Sequence, residues 1–401
     1  MDNGGACSTD MSFKVFINRL SYRLVYYVAK RVTKKKYSFT TDRVPKVGEP
    51  YIMISNHTTE EDMLFAGLAS KRHMYYVCGE HLLRNKTYGK LLRVLINPIP
   101  LPKGGASLEA VKEMIKRIKQ GYNVCLFPEG KRSFHGETIP ASLALGKLVK
   151  KTGGALVTYK VIGGYFTYPR WARQHQRTGH VEGKVMGVYS SEELKKMTPQ
   201  EVTDIINRDT YENAYETQRE KNWDYIGTDK AKGMEHVLFM CPKCGGMDTI
   251  QTEGDSFHCT KCGMKGVYND KGFLEGEGLP YDNVLEWMRW EEPQFDKYVE
   301  EKGDELLFTD ENVTLYTMLE DYTNKDILKD KLEMYRDRLV IGEYTFPLNE
   351  ISFLSILFGN ILLFTYKDTY YGLTGETFHA WKGGRLWHLV KGDADDRTKE
   401  L

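Results

Sequence analysis

Tyr51-Ile52-Met53-Ile54-Ser55-Asn56-His57-Thr58-Thr59-Glu60-Glu61-Asp62 opens as an unbroken apolar run and closes in polar residues. A short apolar run bounded by turn formers reads as a buried strand. Glu61 to Ser70 reads as the helix that follows, and Thr58 with Glu61 fits a capping box, with Thr58 as N-cap. His57 then falls in a strand–turn–helix junction. In a continuous helix, five residues would set two side chains about 140° apart; a turn lets His57 and Asp62 meet. A His held by a carboxylate has a fixed tautomer and a stabilised imidazolium, which a general base for a hydroxyl group requires. A His followed by an Asp five positions later also arises by chance, and a His can simply pack at a strand end. The reading therefore depends on the surroundings.

Those surroundings alternate strand and helix from Arg43 to about Met234. Leu108 to Gln120 is an amphipathic helix stopped by Gly121. Val124 to Phe127 is the next strand, and Ala141 to Lys151 a helix before Gly153-Gly154. The alternation predicts an α/β domain over residues 41–235, a mixed sheet flanked by helices. At the end of the second strand stands Phe127-Pro128-Glu129-Gly130-Lys131-Arg132-Ser133. Gly130 permits a tight turn, Lys131 and Arg132 offer charge-assisted bonds to a phosphate, and Ser133 offers another donor.

Asn-His-x4-Asp at 56–62, with Phe-Pro-Glu-Gly-x-Arg-Ser some seventy residues later, resembles the glycerolipid acyltransferase family typified by lysophosphatidic acid acyltransferases. The resemblance runs from about Tyr37 to Glu220. It implies that His57 takes the proton of an acceptor hydroxyl, that Asp62 orients His57, and that an acyl thioester, acyl-CoA or acyl carrier protein, is the donor. Glu129, Gly130 and Arg132 would match the acceptor-phosphate site, with Lys131 and Ser133 as neighbours. Lys103, in Pro100 to Gly105, stands where the family often carries Arg; it keeps the charge but loses the bidentate fork. The later Leu156 to Val161 block lacks the family's proline, and Glu60 and Glu61 are unusual beside an anionic acceptor. The expected activity is acyl transfer to a lysophospholipid, lysophosphatidic acid to phosphatidic acid first, in phospholipid biosynthesis. Another lysolipid or glycerol 3-phosphate as acceptor, and a non-enzymatic lipid- or protein-binding scaffold, are the alternatives.

A net charge of +1 over 401 residues argues against nucleic-acid binding by bulk electrostatics. The basic residues are not evenly spread: eight Lys or Arg and no acid lie between Met11 and Tyr37. Within that segment Phe13, Phe16, Ile17, Leu20, Leu24, Tyr27 and Val28 share a helical stripe, with Val15, Tyr22 and Tyr26 on the far side. Residues 1–40 are expected to form a basic helix that docks on membrane phospholipids; a helix packed on its own domain is the other reading. No signal peptide or membrane-spanning run is expected, which predicts a peripheral protein on the cytoplasmic face of a membrane.

Cys241-x-x-Cys244-Gly and Cys259-x-x-Cys262-Gly are separated by fourteen residues. Paired knuckles of this kind predict a closed tetrahedral site for structural zinc, with a hairpin at Thr249 to Phe257, over residues 236–275. A dithiol redox role is the alternative. Residues 276–305 read as a helical linker. From 306 to 401 short strands dominate, with turns at Gly342, Gly359-Asn360 and Gly372 and a closing helix near Phe378 to Val390, an order that resembles a pleckstrin-homology-like barrel.

Overall fold

The computed structural model describes residues 6–79, 83, 88–101, 108–130, 132–172, 175–318 and 323–392. Tyr51–Ser55 forms the expected strand, buried throughout. It is the middle member of a seven-stranded sheet ordered Thr40–Thr41, Glu182–Tyr189, Ala155–Ile162, Tyr51–Ser55, Asn123–Leu126, Met74–Gly79 and Ile99–Leu101. Among the described pairings of this sheet, only that of Ala155–Ile162 with Glu182–Tyr189 is antiparallel. Alternate residues of the central strands feed two cores. Met53, Cys125 and Val157 pack with Phe65 and Tyr76 on one face. Ile52, Ile54, Val124 and Leu156 pack with Met114, Ile118 and Val149 on the other. Both faces are covered, so these strands carry no polar alternation.

Tyr51–Ser55 and Asn123–Leu126 are parallel neighbours, with Ile54 opposite Leu126. Their carboxyl ends therefore lie side by side, where open α/β sheets hold ligands. This placement brings the two sequence motifs together across seventy residues of chain.

The first 32 described residues form one helix, Ala6–Tyr37. Tyr22, Ala29, Thr33 and Tyr37 face the protein and are buried, whereas Leu24, Tyr27, Val28 and Val32 are exposed. Of the expected stripe, Leu24, Tyr27 and Val28 are thus not spent on the protein's own core, whereas Tyr22 of the far side is. Among the described residues no helix is long and apolar enough to cross a membrane.

Residues 250–275 contribute a four-stranded antiparallel sheet, with the expected hairpin from Ile250–Glu253 to Ser256–Cys259. The segment read as a linker is a packed element. Its helix, Val284–Lys302, buries Val284, Trp287 and Met288 on the side of the four-stranded sheet and Phe295 and Val299 on the side of the C-terminal β-rich region. Glu291, also buried, accepts from the Met240 amide at 2.5 Å.

From Phe308 to Thr374 a second seven-stranded sheet is wholly antiparallel, and the helix Ala380–Lys391 buries Leu386 and Trp387 against it. Gly372, expected in a turn, lies inside the strand Thr369–Thr374. Opposite it is Tyr316, whose ring would collide with any Cβ at position 372. The glycine makes room for a neighbour, with no bend of the chain.

Candidate active site

The turn after the central strand is built by side chains that replace missing backbone partners. Asn56 continues the ladder past the strand end: its amide donates to the Val161 carbonyl at 2.9 Å and accepts from the Val161 N–H at 2.8 Å. Asp62 does the rest. Its carboxylate, with no exposed surface, accepts from the amides of Thr58 (2.6 Å) and Thr59 (2.9 Å), the Thr58 hydroxyl (3.1 Å) and His57 Nδ1 (2.8 Å). The expected capping box is absent for that reason. The helix begins at Asp62 with Glu61 as N-cap and no side-chain cap bond, because Asp62 has taken the hydroxyl and amide of Thr58.

His57 is held from three sides. Nδ1 is committed to Asp62, the ring stacks on Phe127 with centroids 4.8 Å apart, and the backbone is clamped by the second motif. The His57 N–H donates to Glu129 Oε1 at 2.6 Å, and the His57 carbonyl accepts from the Ser133 N–H at 3.0 Å. The imidazole keeps about a quarter of its surface open. With Nδ1 as donor, Nε2 carries the lone pair that can accept a proton.

The second motif divides into residues that hold the loop and one that faces outward. Gly130 adopts φ +66°, the left-handed conformation that the turn demands. Glu129 is buried and gives its oxygens to the amides of His57 and Ile139. Burial pushes its carboxyl up to about 8, against the pull of those two amides. Ser133 is buried as well, its hydroxyl donating to the Glu137 carbonyl and accepting from the Gly136 amide, both at 2.9 Å. Both were expected among residues touching the acceptor; both are turned into the protein. Arg132 is half-buried and reaches the lip, donating to Glu60 at 3.2 Å and lying over the Tyr168 ring. Lys131 and Lys103 lie outside the described residues.

Glu60 and Glu61 now have partners. Glu60 is the counter-ion of Arg132. Glu61 accepts from the hydroxyls of Tyr37 and Thr59, each at 2.6 Å, and pairs with Lys36 at 3.4 Å. Burial opposes its ionisation, but those bonds and the Lys36 charge outweigh it and hold the carboxyl below the ordinary range. The last turn of the N-terminal helix is thereby fastened to the residue before Asp62. Sequence reading did not single out Tyr37, nor Arg170, a buried arginine that donates to the Arg132 carbonyl at 3.2 Å.

The four cysteines converge as expected. Their sulfurs all lie within 4.8 Å of one another, with Cys241–Cys262 at 3.7 Å and Cys244–Cys259 at 3.8 Å. A tetrahedral zinc with Zn–S bonds of about 2.3 Å needs sulfurs about 3.8 Å apart. The donor set therefore fits zinc with every coordination position filled. Gly245 and Gly263, at φ +66° and +72°, close the two knuckles identically. His258, beside Cys259, is exposed on its strand and is not a fifth ligand.

Comparison with known proteins adds an independent view. The family model described as Acyltransferase matches residues 30–162. The chain is 22% identical over 202 residues to a 1-acyl-sn-glycerol-3-phosphate acyltransferase of Streptococcus pneumoniae (strain ATCC BAA-255 / R6), covering 50% of this chain and 73% of that protein. Among solved structures it is similar to the 1-acyl-sn-glycerophosphate acyltransferase PlsC of Thermotoga maritima, at 21% identity and a TM-score of 0.39, over 47% of this chain and 77% of the other. The four-cysteine cluster and the C-terminal antiparallel sheet follow the matched residues. Over residues 30–162, about a third of its length, the chain matches the acyltransferase family.

Proposed function

We propose that this protein transfers a fatty acyl group from a thioester, acyl-CoA or acyl carrier protein, to the free hydroxyl of a lysophospholipid. The observation that carries the reading is the 2.8 Å bond from His57 Nδ1 to the fully buried Asp62. It fixes the tautomer and leaves Nε2 as the base.

His57 Nε2 removes the hydroxyl proton as the alkoxide oxygen attacks the thioester carbon. Collapse of the tetrahedral intermediate breaks the C–S bond, and the proton on Nε2 passes to the departing thiolate. His57 ends the cycle neutral, and no protein nucleophile is acylated. Asp62 stabilises the transient imidazolium. Arg132 binds the acceptor phosphate once Glu60, more than half exposed, releases it. Lysophosphatidic acid is the reference acceptor, because the Streptococcus relative is named for that reaction.

The acceptor of such a reaction resides in a membrane. Exposed Leu24, Tyr27, Val28 and Val32, flanked by Arg23, Lys30, Arg31, Lys34 and Lys35, supply an apolar strip and a cationic border for docking on an anionic lipid surface. Zinc in the ribbon is structural, since four thiolates leave it no open position.

The test is incubation with labelled palmitoyl-CoA and a panel of lysolipids on vesicles, following acylated product by mass spectrometry. Product formed by the wild type and lost in His57→Ala is expected. A His57→Ala protein as active as the wild type would sink the mechanism.

A further inference from the structure

Arg132 faces the catalytic turn and also lines a cleft between the acyltransferase domain and the C-terminal barrel. We propose that this cleft is the acceptor's headgroup subsite, and that the preferred acceptor is a lysophospholipid whose phosphate is a diester to an uncharged polyol. The inference rests on the acyltransfer reading above and names the substrate class of that site.

The cleft has fixed walls. Arg170, buried beneath it, donates to the Arg132 carbonyl at 3.2 Å and to the Ile356 carbonyl of the barrel at 2.5 Å, and its guanidinium lies 4.1 Å from the centre of the Phe134 ring. One side chain thus sets the barrel wall in register with the loop that carries Arg132. A phosphate on Arg132 has this cleft beside it, so the ester substituent of a phosphodiester has somewhere to go; a phosphomonoester would leave the cleft to water.

The lining selects among substituents. Four arginines (Arg132, Arg170, Arg289 and Arg385) line it with two glutamates (Glu137 and Glu292), and Glu60 and Asp296 pair with Arg132 and Arg385, so charge is near balance and the cleft has no net negative field to hold an ammonium headgroup. Arg289 and Glu137 are already joined by two bonds of 2.9 Å. An acyl chain there would strip water from this half-exposed pair with nothing in return. Hydroxyls do better: they donate to carboxylate oxygens, accept from guanidinium N–H groups, and present C–H faces to an aromatic ring. Trp381, half-buried and edge-on to Phe134 at 5.2 Å, supplies that ring.

The experiment is calorimetric titration of the full chain with water-soluble hexanoyl lysophospholipids: lysophosphatidylglycerol, lysophosphatidic acid and lysophosphatidylethanolamine. Lysophosphatidylglycerol is expected to bind at least about tenfold tighter than either of the others, and Arg289→Gln or Trp381→Ala to bring the ratio close to one. Arg289 is exposed, so its variant carries the test if Trp381→Ala fails to fold. Equal affinities in the wild type, or a ratio untouched by either variant, would overturn the subsite. Palmitoyl-CoA turnover with the same three acceptors separates the two claims. Selective binding without acyl transfer removes the enzymatic reading and leaves the subsite. Transfer to all three with equal affinity removes the subsite and leaves the enzyme.

Discussion

The catalytic turn and the cysteine ribbon both bind with side chains carried on tight turns, yet they distribute their capacity differently. In the ribbon two knuckles face each other and all four sulfurs point at one centre. In the catalytic turn Asp62 is saturated by four donors from three consecutive residues, while the imidazole that it holds keeps one nitrogen uncommitted. On the proposed reading the ribbon closes on zinc and gains stability, while the turn closes on Asp62 and leaves His57 Nε2 outside as the base. On that reading, what separates the structural centre from the chemical one is one ring nitrogen left uncommitted.

The contrast can be broken at either end. The largest effect belongs to the ribbon. Cys259→Ala, or a strong chelator, should unfold residues 236–275, since metal binding in such modules is worth about 10–16 kcal/mol in isolated zinc fingers. Metal analysis and circular dichroism would check it; a protein holding no zinc and melting normally would refute the closed site. Next comes His57→Ala, expected to lower turnover by about 10²–10⁴-fold with an unchanged melting temperature. A large loss of stability would mean that the imidazole is a structural strut after all. Leu24→Glu with Val28→Glu should release the protein from anionic vesicles in a flotation assay while leaving its fold intact, because both side chains are exposed.

The smallest effect is a slope. Glu129 titrates near 8 in the folded protein and in the ordinary carboxylate range when unfolded, so between those values the folded state binds more protons. Its contribution to stability is therefore greatest at low pH and is lost as pH rises through about 8. Subtracting the melting profile of Glu129→Gln from that of the wild type should reveal a difference that falls with pH. A flat difference would show that the carboxylate is better satisfied by the two amides than its burial implies.

Much of this was legible in the chain because the decisive features are local. His57 and Asp62 are joined through one turn, and each knuckle spans five residues; spacing alone carries such geometry. The Tyr51–Ser55 strand was readable because both its faces are buried. What was not legible depends on competition or distance. Thr58 looked like an N-cap, but Asp62 is the stronger acceptor and claimed its hydroxyl and amide. Glu129 and Ser133 looked like ligands for a substrate, but Glu129 accepts from the amides of His57 and Ile139, and the Ser133 hydroxyl bonds the Glu137 carbonyl and the Gly136 amide. Gly372 looked like a turn until the ring of Tyr316 was laid across it. Arg170 bonds a carbonyl 186 positions away, beyond the reach of any pattern in the sequence.

The helix Val284–Lys302 has a consequence in time. Trp287 and Met288 complete a cluster whose other members include Phe166, Trp171 and Met234. Those earlier residues emerge from the ribosome first and cannot close over one another until the helix arrives. At about 5–20 residues per second the gap from Met234 to Lys302 lasts roughly three to fourteen seconds. Throughout that interval the nascent chain carries Phe166, Trp171 and Met234 without the helix that covers them in the folded protein.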